Sequence, residues 1–147
     1  MKTLIIYASV HHNNTEKIAC AMAEVLNADM MRISEVNLEV LEEYDLIGFG
    51  SGIYYGKFHK SIIRLLDNLS EVSNKKAFVF STSGQGKKGY NNSLEVKLKD
   101  KGFQIVGSFA CKGYDTFGPF KIIGGIAKGR PSDKDLKKAK GFAESLL

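Results

Sequence analysis

The stretches 3–8, 45–49 and 77–80 are built on apolar runs too short to make helices, Leu4 to Ala8, Leu46 to Phe49 and Ala77 to Phe80, and each gives way to small, polar or glycine-rich residues before a helical pattern opens. That order constrains the fold more than any other feature. Strands that alternate with helices pair in parallel, and the crossing helices cover both faces of the sheet.

The remaining elements follow the same logic. Residues 14–27 carry Ile18, Ala19, Met22, Val25 and Leu26 at helical spacing, and a short strand is predicted at about 29–33. The segment 34–44 is acidic and turn-like, with Leu38 and Leu41 able to pack one helical turn. Ile62, Ile63, Leu65, Leu66 and Leu69 mark a second helix. Residues 90–101 fit period two as well as period three point six, and the need to cross between parallel strands selects a helix. Phe103 to Ala110 is the last long strand. Ser132 to Leu147 closes the chain as a helix, with Ser132 as its cap and Asp133 and Asp135 in the first turn. The expected fold is α/β, a three-layer open sandwich around a five-stranded parallel sheet.

A chain of 147 residues with 44% apolar content fills one core, so residues 1–147 are expected to form one domain. Met1, Lys2 and Thr3 run straight into the first strand without the pattern of a secretory leader, and no apolar run reaches the length of a membrane span; a cytoplasmic protein is expected. Cys20 and Cys111 stand beside small or apolar residues and read as core thiols with no disulfide between them. His59 is distant in sequence from His11 and His12, and no ligand spacing implies a metal.

Twenty-one Lys and Arg against sixteen Asp and Glu leave a net charge of +5, with acids concentrated at 34–45 and bases in the last third. Such a chain attracts anionic cofactors or acidic partner proteins. Many of the lysines also suit the solvated side of the closing helix. Nucleic-acid binding would rest on net charge alone and is not expected.

In an open parallel sheet, ligands bind beyond the carboxyl ends of the strands where strand order reverses. Three segments meet there. The first, 9–15, offers the hydroxyls of Ser9 and Thr15, the amides of Asn13 and Asn14, and the unpaired N–H groups of a helix start, all suited to phosphate. Asn14 or Thr15 could equally cap that helix. The lysine of a nucleotide-hydrolysing loop and the glycines of a dinucleotide fingerprint are both missing. The second segment, Ser51, Gly52, Ile53, Tyr54, Tyr55, Gly56 and Lys57, places two tyrosines between glycines, as a stacking platform for a flat ring requires. The third, Ser81, Thr82, Ser83 and Gly84 on to Gly89 and Tyr90, supplies small polar groups for the edge of such a ring. Ser83 lacks the glycine context of a hydrolase nucleophile.

Together these residues resemble the flavodoxin-like family, in particular its short single-domain FMN-binding members, over nearly the whole chain. The resemblance implies strand order 2-1-3-4-5 and bound FMN. The family holds the phosphate with Ser/Thr-x-Thr-Gly-x-Thr. Here the stretch Ser9-Val10-His11-His12-Asn13-Asn14-Thr15 is one residue longer, has histidines at the hydroxyl position and has Asn13 in place of the glycine. His11 or His12 could donate to the phosphate. Tyr54 or Tyr55 would stack on the flavin, residues 81–89 would reach its pyrimidine edge, and Phe117 and Phe120 would shield it or meet a partner, or else belong to a rigid glycine- and proline-rich excursion that delivers the last helix. The implied function is electron transfer, one or two electrons at a time, between redox proteins, by a monomer or weak homodimer. An NAD(P)H-dependent quinone or flavin reductase using the same cofactor is the alternative; no catalytic side chain is assigned.

Overall fold

Thr3 to Ala8 are buried at every position, which fits a strand covered on both faces, and this strand is the second of the sheet rather than its edge. The computed structural model describes residues 1–9, 13–114 and 125–147. Its elements are β1 (Thr3–Ala8), α1 (Asn14–Leu26), β2 (Asp29–Arg32), β3 (Leu46–Tyr54), β4 (Lys57–Phe58), α2 (Lys60–Asn68), β5 (Lys76–Ser83), α3 (Asn92–Asp100), β6 (Gln104–Lys112) and α4 (Asp133–Glu144). Short 3-10 turns occupy Ile33–Glu35, Val40–Glu43 and Lys88–Asn91.

Five strands pair in parallel in the order β2-β1-β3-β5-β6, the expected order once the strands are counted along the chain. The sixth, β4, was not expected; it turns back antiparallel on β3. Alternation along β1 divides the core. Leu4 and Ile6 face Ile62, Leu66, Leu94 and Leu98 of α2 and α3, while Ile5 and Tyr7 face Ile18, Met22, Ala139 and Ala143 of α1 and α4.

Two glycines of β3 let the central strands close up. A Cβ at Gly48 would lie 2.3 Å from the Phe78 ring, and one at Gly50 would lie 2.0 Å from the Phe80 ring, so both aromatic rings of β5 rest over bare backbone. The two rings stack with centroids 6.1 Å apart.

Several local expectations are corrected. β3 continues past Phe49 to Tyr54 and β5 past Phe80 to Ser83, because each is hydrogen-bonded on both sides and its neighbours carry the ladder through glycine and serine. Ser51, Gly52, Ile53, Tyr54, Ser81, Thr82 and Ser83 are therefore strand residues, not loop residues. Neither Asn14 nor Thr15 caps α1; Asn13 holds that position with φ 52°, and its side chain makes no capping bond. Cys20 is exposed, on the side of α1 opposite Ile18 and Met22, whereas Cys111 is buried as expected.

Ser132 does cap α4. Its hydroxyl accepts from Asp135 N at 3.3 Å, and its own N–H donates to Asp135 Oδ2 at 2.7 Å. Arg130 grips the same carboxylate with two N–H groups, Nη2 at 2.6 Å from Oδ1, and holds the Asp135 carboxyl down at about 2. Among the described residues no helix is long and apolar enough to cross a membrane.

Candidate functional site

The register lines up Ala8, Ser51, Ser81 and Ala110 in one row across the carboxyl half of the sheet, and Gly52, Thr82 and Cys111 in the next. Every member is small, so no bulky side chain of these rows fills the space where the strands end. Thr15 Oγ1 lies 2.9 Å from Thr82 Oγ1, which ties the first turn of α1 to β5. Ser9 Oγ and Ser81 Oγ are buried and find no hydrogen-bond partner among the described residues. Buried hydroxyls are normally paired, and two orphans at one end of a sheet suit a polar ligand.

The chain enters α1 through Asn13 at φ 52° and ψ 30°, the left-handed region that asparagine tolerates and glycine prefers. Asn14 is buried, and its Nδ2 donates to the Tyr114 carbonyl at 2.8 Å while Oδ1 has no partner among the described residues. A Cβ at Gly113 would lie 2.6 Å from that Nδ2. Asn14 therefore fastens the opening of α1 to the end of β6, a link that sequence spacing did not suggest. His11 and His12 lie outside the described residues, as do Phe117 and Phe120.

The tyrosines sit on a hairpin. Tyr54 pairs with Lys57, and the two turn residues between them, Tyr55 and Gly56, have φ 51° and 78°, both positive as in the tightest hairpin turns. Ile53 and Phe58 are buried and anchor the hairpin in the core. Tyr54 is half-buried with its ring edge-on to His59, centroids 5.4 Å apart, and it lies on the same face of the strand as Gly52. Tyr55, at the tip, is 79% exposed.

His59 was not among the expected site residues, yet it holds this corner together. Its N–H donates to Ser51 Oγ at 3.0 Å, the Ser51 hydroxyl donates to the Gly52 carbonyl at 2.6 Å, and His59 Nδ1 accepts from Ser61 N at 3.1 Å to cap α2. Burial first, then Arg64 and Lys60, push the imidazole pKa below its ordinary value. The one sequence signal was its place immediately before a helical pattern.

The third segment curls back on itself. Ser83 Oγ accepts from Gly86 N at 2.7 Å, and Gly86, at φ 65°, packs on Lys112, where a Cβ would meet the backbone N at 3.1 Å. Gly84 is buried and Gly89 exposed. Tyr90, half-buried, donates to Gln85 Oε1 at 3.1 Å, and its ring is 4.0 Å from where a Gly56 Cβ would stand, so the second and third segments meet. Asn91 behind it is buried and donates to Ser108 Oγ and Phe109 O, both at 2.9 Å.

Hydroxyl donors, a helix opening and tyrosines gathered at the strand ends suit a flat polar ring with an anionic tail. Among the described residues no group of His, Cys, Asp and Glu could hold a metal ion.

A family profile described as a flavodoxin domain matches residues 4–117. An uncharacterized protein of Methanocaldococcus jannaschii is 56% identical over an alignment of 149 positions, which covers 100% of this chain and 99% of that one. Among solved structures, oxidised flavodoxin 2 from Bacillus cereus superposes with a TM-score of 0.74 at 23% identity, covering 99% of this chain and 97% of that one. A Fusobacterium nucleatum flavodoxin bound to flavin mononucleotide superposes with a TM-score of 0.70 at 14% identity, again over 99% and 97%.

Proposed function

This chain belongs to the flavodoxin domain family, and from that premise we propose that it binds FMN and carries electrons between redox proteins. The observation that carries the reading is the pair of buried hydroxyls, Ser9 and Ser81, that have no hydrogen-bond partner among the described residues, at strand ends that also present the first turn of α1. The fold is that of the Fusobacterium protein, which binds the same cofactor.

Ser9, Asn13 and Thr15 would hold the phosphate together with His11 and His12, because the first turn of α1 offers unpaired N–H groups and the positive end of its dipole. Asn14 acts differently. Its N–H₂ is committed to Tyr114, so it keeps the helix opening in place and presents its remaining groups at the same corner. Ser51, Gly52, Ile53, Tyr54, Tyr55 and Gly56 would form one wall for the ring. Tyr55 is the side chain that projects and would cover the ring from outside, while Tyr54 and His59 brace the hairpin. Ser81, Thr82, Ser83, Gly84, Gly89 and Tyr90 would meet the polar edge. Bound FMN supplies the one- and two-electron chemistry, and the protein's share is to orient it, exclude water from one face and set its potential.

The test is an absorption spectrum of the purified chain with and without FMN, followed by stepwise anaerobic reduction. Stoichiometric yellow colour, weakened by Ser9→Ala and Thr15→Ala, is expected. A chain that stays colourless with no measurable FMN affinity overturns the reading. Rapid NADPH oxidation with a quinone present would replace the carrier by a reductase.

A further inference from the structure

We propose that the mouth of this site is a docking surface for a carboxylate-rich protein, recognised by Lys57, Lys60, Lys87, Lys88 and Lys112. The inference rests on the redox reading of the same site and adds the kind of partner.

All five lysines are exposed and they border the three segments already described. Lys57 is the hairpin partner of Tyr54, and Lys60 opens α2 directly after His59. Lys87 and Lys88 lead from Gly86 to Tyr90, whose ring adjoins Gly56. Lys112 ends β6 against Gly86.

None of the three segments, 9–15, 51–57 and 81–90, carries an acid. Residues 46–66, 72–94 and 101–114 contain no Asp or Glu at all. Elsewhere five cations are paired with carboxylates, in Lys2–Glu43, Arg32–Glu16, Lys97–Asp67, Lys140–Glu24 and Arg130–Asp135. Among the described residues none of the five rim lysines is so paired. The described acids at this end of the sheet belong to other elements. Glu16 is engaged by Arg32, Glu35 accepts from Arg32 N, Asp135 is held by Arg130, Asp133 opens α4, and Glu95, in the first turn of α3, lines a cleft with Lys88 but is not paired with it.

A positive rim around an electron exit steers negatively charged partners and speeds their encounter. The lysines stand on β4, α2, the segment before Tyr90 and the end of β6, and Tyr55 protrudes near Lys57, so they form a broad face with an aromatic contact. An open face with charge at its rim suits a transient protein contact steered by electrostatics, not an enclosed nucleotide pocket.

The test uses the FMN-loaded full chain, reduced anaerobically and mixed in a stopped-flow instrument with cytochrome c, either native and basic or succinylated and acidic. Each fully reduced flavin gives up two electrons and takes two haem irons from ferric to ferrous. At low ionic strength the succinylated protein should be reduced about tenfold faster than the native one, and salt should erase the difference. Lys57→Gln/Lys87→Gln/Lys88→Gln, loaded with FMN to the same flavin absorbance as the wild type, should abolish the preference. The equal-charge control Lys99→Gln/Lys137→Gln/Lys138→Gln should retain it. Faster reduction of native cytochrome c, or a preference that survives in the rim variant, overturns the proposal. So does rim-dependent saturation by NADPH, which would make the lysines a nucleotide site. Flavin absorbance before mixing separates the two readings: without bound flavin the cofactor assignment falls, whereas bound flavin with no charge preference removes the docking surface alone.

Discussion

Thr15 and Thr82 are hydrogen-bonded through their hydroxyls at 2.9 Å, both buried, across 67 residues of chain. The bond joins the helix that would receive a phosphate to the strand that would face the ring. Thr82→Val keeps the shape and strands the Thr15 hydroxyl, at an expected cost of about 1–3 kcal/mol. Thr15→Val/Thr82→Val should lose less than the sum of the single variants, because neither hydroxyl is then left alone. Urea unfolding of the four proteins measures this; strictly additive losses would show that the bond is not formed.

Two glycines should respond in opposite directions to alanine. At Gly113 the new methyl would stand 2.6 Å from Asn14 Nδ2, forcing Asn14 off the Tyr114 carbonyl, with an expected loss of about 1–3 kcal/mol. At Gly141, in α4 with open space around it, alanine should add about 0.5–1 kcal/mol. FMN titration should show weaker binding for Gly113→Ala and no change for Gly141→Ala.

The two thiols should differ in reactivity. Cys20 is exposed, while burial, chiefly, and Asp135 push the Cys111 thiol up to about 12. Ellman's reagent at pH 8 should titrate one thiol in the native protein, abolished by Cys20→Ser, and two in denaturant. Rapid native labelling of the Cys20→Ser variant would contradict the burial of Cys111.

His59 gives stability a pH dependence of definite sign. Its folded pKa lies below that of the unfolded chain, so the folded state binds fewer protons; the contribution is complete above the unfolded value and is lost as pH falls through the folded one. The geometry agrees, because a proton on Nδ1 removes the acceptor for Ser61 N at the positive end of α2. Between pH 7 and 5 the wild type should lose more stability than His59→Asn, which keeps a capping acceptor that does not titrate. Equal losses of unfolding free energy between pH 7 and 5 for the wild type and His59→Asn, measured by denaturant melts, would remove His59 from this role.

The alternation of elements was legible because burial on both faces demands continuous apolar runs, as at Leu4 to Ala8 and Ala77 to Phe80. Where hydrogen bonding rather than side-chain character carries a strand, periodicity is silent. Gly50 to Gly52 and Ser81 to Ser83 read as loops and are strands, since β1, β3, β5 and β6 pair through them. The segments that gather at the strand ends could be named from their composition. The bracing by His59 and the reach of Asn14 to Tyr114 could not, because such contacts depend on the three-dimensional meeting of distant residues. The exposure of Cys20 follows from helix geometry that its alanine neighbours obscured.

Phe78 over Gly48 and Phe80 over Gly50 make these four positions a single unit of inheritance. A lineage that enlarges either glycine first expels a ring from the centre of the sheet and meets a barrier. One that trims the phenylalanine first opens a void it can later fill. Related sequences should therefore vary at these sites as matched pairs, with the aromatic member changing before its small companion.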